Sequence, residues 1–187
     1  MVSTEDSEIA RVAEELGSLV VPRPARLAQP ETKTEPVLVD TVSVLKQQRK
    51  TYDAVLLLQP TTPFRKTETL SKTIELFFEK DADSVVTVSP VPAKFNPYKG
   101  GTIEDSLLKP FSSQTGMIRR DQDTPTLFMR NGQVYLTRTS LVERGRLFGE
   151  RCVPYVQDDE FIVKIDDYSD FAFAEFLADK GYLQLEE

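Results

Sequence analysis

Four stretches of the chain gather side chains that could grip a charged small molecule. Ala54-Val55-Leu56-Leu57-Leu58 is a continuous apolar run, the pattern of a strand buried on both faces and typical of a central strand in a parallel sheet. It stops at Gln59-Pro60 and continues as Thr61-Thr62-Pro63-Phe64-Arg65, a rigid polar loop ending in a cation. Ligands of open α/β sheets sit beyond the carboxyl ends of strands, so Gln59, the two threonines and Arg65 stand where a substrate would be held. The plainer alternative is a proline-stiffened connector whose polar residues cap the next helix.

The second stretch runs from Arg119-Arg120-Asp121-Gln122 through Pro125 to Arg130-Asn131-Gly132-Gln133-Val134-Tyr135. Its paired arginines could clamp a carboxylate or phosphate bidentately. A solvated arginine pair and a plain Asn-Gly hairpin turn are the competing readings. In the third stretch, Val163-Lys164-Ile165-Asp166-Asp167-Tyr168-Ser169-Asp170, carboxylates at a strand end could bind a hard divalent cation through oxygen. Asp167 and Asp170 could equally cap the helix that follows, which leaves Asp166, at the strand end itself, as the candidate metal ligand. The fourth, Arg23-Pro24-Ala25-Arg26-Leu27-Ala28 with Thr34 beyond it, reads alone as a loop with solvated arginines.

What the chain lacks narrows the chemistry. It has no histidine, which excludes His-based acid–base catalysis, Ser-His triads and His-ligated metals. Any metal must be held by oxygen, which favours Mg²⁺ or its relatives. The 23 Lys+Arg against 30 Asp+Glu give a net charge of -7, which argues against a nucleic-acid-binding surface. Cys152 is the single cysteine, so no internal disulfide is possible and a reducing, cytoplasmic setting is expected. No apolar run approaches membrane-spanning length, and no signal peptide opens the chain.

The elements that must position these residues alternate between strand and helix. Asp6 or Ser7 can cap a helix carrying Ile9, Val12, Ala13 and Leu16 on one face, ended by Gly17. Leu19-Val20-Val21 is a short strand, and a helix follows from about Pro36 to Lys50. Leu70, Ile74, Phe77 and Phe78 form the stripe of a helix packed on a sheet, and Asp83–Val88 is a β-branched strand. Regularity is lost from Pro90 to Pro125, which holds five of the twelve prolines and reads as an irregular arm or hairpin. Strands are expected again over Gln133–Leu136, Cys152–Val156 and Glu160–Ile165. A last helix, about Tyr168–Lys180, turns Phe171, Ala174 and Leu177 inward, with Gly181 as its cap. The whole of 1–187 reads as one domain of the α/β class, a doubly wound, mostly parallel sheet with helices on both faces. Val2-Ser3-Thr4 looks like a strand end running straight into a capped helix, and no glycine-rich phosphate loop occurs. The expectation is therefore a sheet missing its first βα unit.

In this order and at these spacings, the four stretches resemble the acylneuraminate cytidylyltransferases, the CMP-sialic acid and CMP-nonulosonic acid synthetase family. The resemblance rests on V-S-T-E-D, R-P-A-R-L-A, L-L-Q-P-T-T-P-F-R, D-S-V-V-T-V, R-D-Q-D-T-P…N-G-Q-V-Y and K-I-D-D, and it covers essentially the whole chain. Asn96-Pro97-Tyr98 and Leu147-Phe148-Gly149 look more like the bacterial branch acting on legionaminic-type acids. The resemblance implies a nucleotide-diphospho-sugar transferase-like, Rossmann-like fold. It further implies transfer of CMP from CTP to a nine-carbon keto acid sugar with release of pyrophosphate, using Mg²⁺. Carried over, it implies that Gln59 and Tyr135 contact the sugar acid and that Arg120 or Arg119 meets its carboxylate. Phe148 would line its pocket, and Asn131 would belong to the same substrate-binding set. Arg23 and Thr34 would lie along the nucleotide, Asp166 would hold the metal, and the 90–125 arm would serve a homodimer. One departure stands out: Lys164 occupies the place of the first aspartate of the family's D-x-D pair. It motivates an alternative, a non-catalytic sugar-acid-binding or subunit-partner protein derived from such an enzyme.

Overall fold

The computed structural model describes residues 1–111, 120–158 and 161–183. In chain order it builds β1 (Val2–Thr4), α1 (Ser7–Glu15), β2 (Val20–Pro22), α2 (Thr34–Gln47), β3 (Ala54–Leu57), α3 (Thr67–Glu79) and β4 (Ser84–Pro90). The hairpin strands β5 (Gly101–Glu104) and β6 (Leu107–Pro110) follow, then β7 (Phe128–Arg138), α4 (Thr139–Val142), β8 (Cys152–Val156) and α5 (Tyr168–Asp179). Strand and helix alternate as the α/β class requires. Among the described residues, no helix is long and apolar enough to cross a membrane.

The strands form a parallel β1–β2 pair, a four-stranded sheet in the order β3-β7-β4-β8, and the β5–β6 hairpin. The four-stranded sheet is mixed, because β7 runs antiparallel to β3, with Leu56 opposite Leu136. It is antiparallel to β4 as well: Arg138 N donates to Asp83 O at one end, and Val91 N donates to Leu127 O at the other. β8 runs parallel to β4, with Asp83 N on Arg151 O and Gln157 N on Val88 O. The expected α/β fold holds, with β3, β4 and β8 running the same way and β7 reversed between them. The central place expected of β3 is corrected, since it stands at the end of the strand order and is only half-buried. β4 is the strand buried continuously, from Ser84 to Val88. A continuous apolar run reports covered faces but is silent about which edges are paired.

The backbone packs into two compact units. The first comprises Met1–Leu58, Glu68–Val86 and Val134–Val153. Its core includes Val21, Leu45, Phe77, Val85, Val134 and Leu136. Asp6 caps α1 by accepting the amides of Glu8 at 2.8 Å and Ile9 at 2.9 Å. Ala13 is buried, but Ile9, Val12 and Leu16 of the expected inward stripe are exposed. In α3 the covered stripe is Thr69, Thr73 and Phe77, whereas Ile74 and Phe78 face outward. Thr73 tolerates burial because its hydroxyl donates to Thr69 O at 2.6 Å.

The second unit comprises Gln59–Thr67, Thr87–Gln133 and Pro154–Glu187. Val163, Ala174 and Leu177 form its core cluster, with Phe64, Phe161, Ile165 and Leu183 packed against them. Phe171, expected inward, is exposed. Residues 161–165 are not a strand; they run irregularly into the capping box of α5. The 90–125 arm contains the β5–β6 hairpin, turned at Asp105 and Ser106, both with positive φ as a two-residue hairpin loop favours. Buried Asn96 ties the arm together, donating to Pro125 O at 3.0 Å and accepting from Tyr98 N at 3.1 Å.

Candidate functional site

A guanidinium lies at the centre of the bonds that hold the loop after β3. Arg65 Nε donates to Gln133 O at 2.9 Å, and Nη2 donates to Thr62 Oγ1 at 3.1 Å and to Gln59 O. Thr62, fully buried, passes its own hydroxyl proton to Gly132 O at 3.0 Å, and Gln133 Nε2 returns a bond to Phe64 O at 3.1 Å. A loop whose carbonyls point inward must satisfy them, and a forked cation meets several at once. Burial lowers the Arg65 pKa by desolvation, yet a guanidinium remains charged. Arg65 is thus committed to backbone and threonine, and the half-buried Gln59 keeps its side-chain amide for other partners.

Asn131-Gly132 is not a hairpin turn. It lies inside β7, where Gly132 adopts φ +80°, a conformation glycine takes without strain. A Cβ there would stand 3.0 Å from Gln59 Oε1, 3.3 Å from Thr62 Cγ2 and 3.9 Å from Lys164 Cδ, so two separate stretches of the chain converge on this one residue. Asn131 is buried, with Nδ2 donating to Gln157 Oε1 at 2.8 Å and Ser89 Oγ at 3.0 Å while Oδ1 accepts Gln133 N at 3.2 Å. Its amide is fully engaged by the protein. Gln133, Gln157 and Thr62, all buried polar residues, are parts of this network that sequence reasoning passed over or valued only as ligand contacts.

Ile165 N donates to Thr61 O at 2.7 Å, fastening the 163–166 segment to the same loop. Lys164 Nζ lies 2.5 Å from Asp166 Oδ2. Asp170 Oδ2 accepts the amides of Asp166 at 2.9 Å and Asp167 at 3.2 Å. Asp167 Oδ1 accepts the Ser169 hydroxyl at 2.6 Å and the Asp170 amide at 3.0 Å, which hold the Asp167 pKa below the ordinary carboxylate value. Asp167 and Asp170 are caps, as one of the two sequence readings had it. Among the described residues, no group of three or more carboxylates or thiolates could hold a metal. The expected metal ligand, Asp166, already carries an ammonium on one oxygen, so these residues do not fit a protein-held Mg²⁺.

The remaining expected residues are spread over both units. In the second, Arg120 forms a bidentate pair with Asp123 at 2.7 and 3.0 Å, both exposed. Arg119 lies outside the described residues. In the first, Tyr135 and Phe148 face each other with ring centroids 6.1 Å apart, and Thr137 Oγ1 holds the adjoining Leu147 carbonyl at 2.7 Å. Arg23 Nη2 donates to Ser3 O at 2.5 Å and Nη1 lies 3.8 Å from Glu5, while its Nε is buried without a partner. Thr34 is the half-buried first residue of α2.

Comparison with known proteins follows this pattern. The chain is 28% identical over 190 residues to post-translational flagellin modification protein B of Campylobacter coli, spanning all of this chain and 80% of that one. It is 30% identical over 180 residues to CMP-N,N'-diacetyllegionaminic acid synthase of Legionella pneumophila, spanning 95% of this chain and 76% of the relative. The chain belongs to the acylneuraminate cytidylyltransferase family. N-acylneuraminate cytidylyltransferase A of Danio rerio matches this cytidylyltransferase-family chain at 27% identity, across 93% of it and 39% of the longer relative. The fold resembles that of CMP:2-keto-3-deoxy-manno-octonic acid synthetase complexed with CTP, with a TM-score of 0.62 over 96% of this chain and 80% of that one, at 10% identity. No family model matches the chain.

Proposed function

We propose that this cytidylyltransferase-family protein transfers CMP from CTP to a nine-carbon keto acid of the sialic or legionaminic type, releasing pyrophosphate. The observation that carries the reading is the convergence of Gln59, Gly132 and Lys164, with the loop locked by Arg65 so that Gln59 keeps its amide for a ligand. In this reading the sugar acid's hydroxyl oxygen attacks the α-phosphorus of CTP and gives its proton to solvent, while the bond from that phosphorus to the bridging oxygen breaks and pyrophosphate leaves with the electron pair. Transfer of this kind needs position and charge stabilisation more than covalent chemistry, which suits a chain without histidine.

Gln59 of the second unit touches the sugar acid; the family resemblance gives the same role to Tyr135, which pairs with Phe148 in the first unit. Asn131 acts through the strand it orients. Arg120 meets the ligand carboxylate by exchanging Asp123 for it; exposed pairs of this type are worth about 0–1 kcal/mol, so the exchange is cheap. Arg119 is the alternative cation. Arg23 and Thr34 serve the nucleotide, and the unmet Nε of Arg23 supports that role. We further propose a cytoplasmic homodimer. Exposed Cys152 suits a reducing compartment, and Ile103, Leu107, Leu108 and Phe111 leave an apolar hairpin open to a second copy.

Pyrophosphate release from CTP, measured against N-acetylneuraminic acid, a legionaminic-type acid and an eight-carbon deoxy-octulosonate, tests the reading. Turnover with a nine-carbon acid is expected. Turnover with none, or with the eight-carbon acid alone, would refute it. The Lys164–Asp166 pair favours a second reading, a sugar-acid-binding protein without transferase activity. That reading requires calorimetric binding of the acid with no product from CTP.

A further inference from the structure

We infer that Lys164 is this chain's own cation for a substrate oxyanion, and that its pairing with Asp166 closes that carboxylate to a divalent metal. The inference rests on the proposed CMP transfer for the identity of the anion, a carboxylate of the sugar acid or a phosphate of CTP. Its physical basis is independent of that choice.

Lys164 is set in place from both sides. Val163 is buried in the core cluster under α5, and Ile165 N is bound to Thr61 O at 2.7 Å. Between these anchors the Lys164 side chain stays about half exposed, at 47%. Its Cδ and Gln59 Oε1 both fall within 4 Å of the place a side chain on Gly132 would fill. Because residue 132 is glycine, that space is left open beside the Gln59 amide oxygen and the aliphatic stem of Lys164, whose ammonium stands on Asp166. An oxyanion bound there would draw charge from the ammonium at the end of that stem, and would take a hydrogen bond from Gln59 once the amide turns its NH₂ into the space.

The charge logic runs the same way. Nζ sits 2.5 Å from Asp166 Oδ2, so a divalent cation on that carboxylate would have to displace or stand against a positive charge already there. Asp167 and Asp170, the carboxylates nearest in sequence, have oxygens bound to backbone amides and the Ser169 hydroxyl. A partly exposed ion pair exchanges one anion for another easily, whereas a missing second carboxylate cannot be supplied by motion of the pair. Anion binding at this site is therefore metal-independent.

The test uses the whole chain and three measurements. Calorimetry in EDTA with N-acetylneuraminic acid, and separately with CTP, reads the anion and distinguishes the two sources. Binding of at least one is expected, changed less than about twofold by Mg²⁺, weakened about tenfold or more in Lys164→Gln, and largely restored in Lys164→Arg. Mn²⁺-induced relaxation enhancement reads the metal directly: none at Asp166 in the parent chain, and a bound ion appearing in Lys164→Asp. Circular dichroism confirms that the variants fold. Binding that appears only with Mg²⁺, binding of neither anion, unchanged affinity in Lys164→Gln, or Mn²⁺ bound in the parent and lost in Asp166→Asn would each overturn the inference. A parent chain that meets every expectation yet releases no pyrophosphate with any acid would sink the CMP-transfer reading and leave this one standing.

Discussion

Arg23 in the first unit and Arg65 in the second both follow a strand and a proline, yet the chain uses them in opposite ways. Arg65 donates from Nε and Nη2 to two backbone carbonyls and a buried threonine hydroxyl, so that edge of its fork is spent on the protein. Arg23 has one backbone acceptor, a carboxylate 3.8 Å away and a buried Nε with no partner. A cation at a strand end is thus no ligand contact by position alone. It holds a loop when carbonyls converge on it, and it remains open to a ligand when they do not. Gln59 gains from the first arrangement, because the guanidinium behind it fixes the loop and leaves its amide unengaged.

Removing Arg65 should break the comparison most visibly. Arg65→Ala removes the charged donor from Gln133 O, Thr62 Oγ1 and Gln59 O, the last keeping its bond from Thr62 N, and hydrogen bonds to charged groups are worth about 1.5–3 kcal/mol. A loss of about 2–3 kcal/mol is expected in urea unfolding, and Arg65→Lys should recover little because an ammonium lacks the fork. An Arg65→Ala chain as stable as the parent would show that the loop holds itself. Gly132→Ala comes next. A non-glycine residue in the left-handed region costs about 1–2 kcal/mol, and its Cβ would press on Gln59 Oε1 at 3.0 Å. Lower stability together with weaker sugar-acid binding is expected; lower stability with unchanged binding would separate Gln59 from the ligand.

Arg23→Gln sharpens the other side. Its half-buried side chain gives up a Glu5 pair worth under about 1 kcal/mol and a single charged bond to Ser3 O, so stability should fall by less than in Arg65→Ala. CTP affinity should fall about tenfold, as loss of a charged hydrogen bond implies. A large loss of stability with intact CTP binding would make Arg23 a second Arg65. The smallest effect belongs to the α5 cap. The Asp167 pKa is held below its ordinary 3.8, chiefly by the Ser169 hydroxyl and then by the Asp170 amide. Its contribution is therefore present above about pH 3.8 and is lost as pH falls through the lower folded value. Asp167→Asn should flatten that part of the stability curve, and an unchanged curve would show that the cap does not depend on charge.

Much of the framework was legible in the sequence because it depends on local chemistry. Asp6 as a cap, α5 with its Asp167–Asp170 box, Gly181 beyond its end and β8 all follow from side chains acting on their own backbone. Features set by distant partners were not. Asn-Gly supplies positive φ in a turn or within a strand alike, and only the Thr62 bond to Gly132 O distinguishes the two here. In α3, periodicity finds two adjacent stripes, and tertiary packing buries the one with threonines. The 161–165 run is apolar because Phe161, Val163 and Ile165 pack with α5, not because it joins a sheet. At the site, the spacing of Q-P-T-T-P-F-R located the loop but could not tell that Arg65 would be spent on the loop's own backbone.

Steady-state pyrophosphate release by the parent chain and by Gln59→Ala, with the sugar acid and CTP varied in turn, tests the proposed transfer and the part of Gln59 in it most directly. The prediction is turnover on a nine-carbon acid, with Gln59→Ala raising the KM for the acid about tenfold or more while the KM for CTP stays unchanged. No turnover in the parent, or a Gln59→Ala effect confined to CTP, would contradict it.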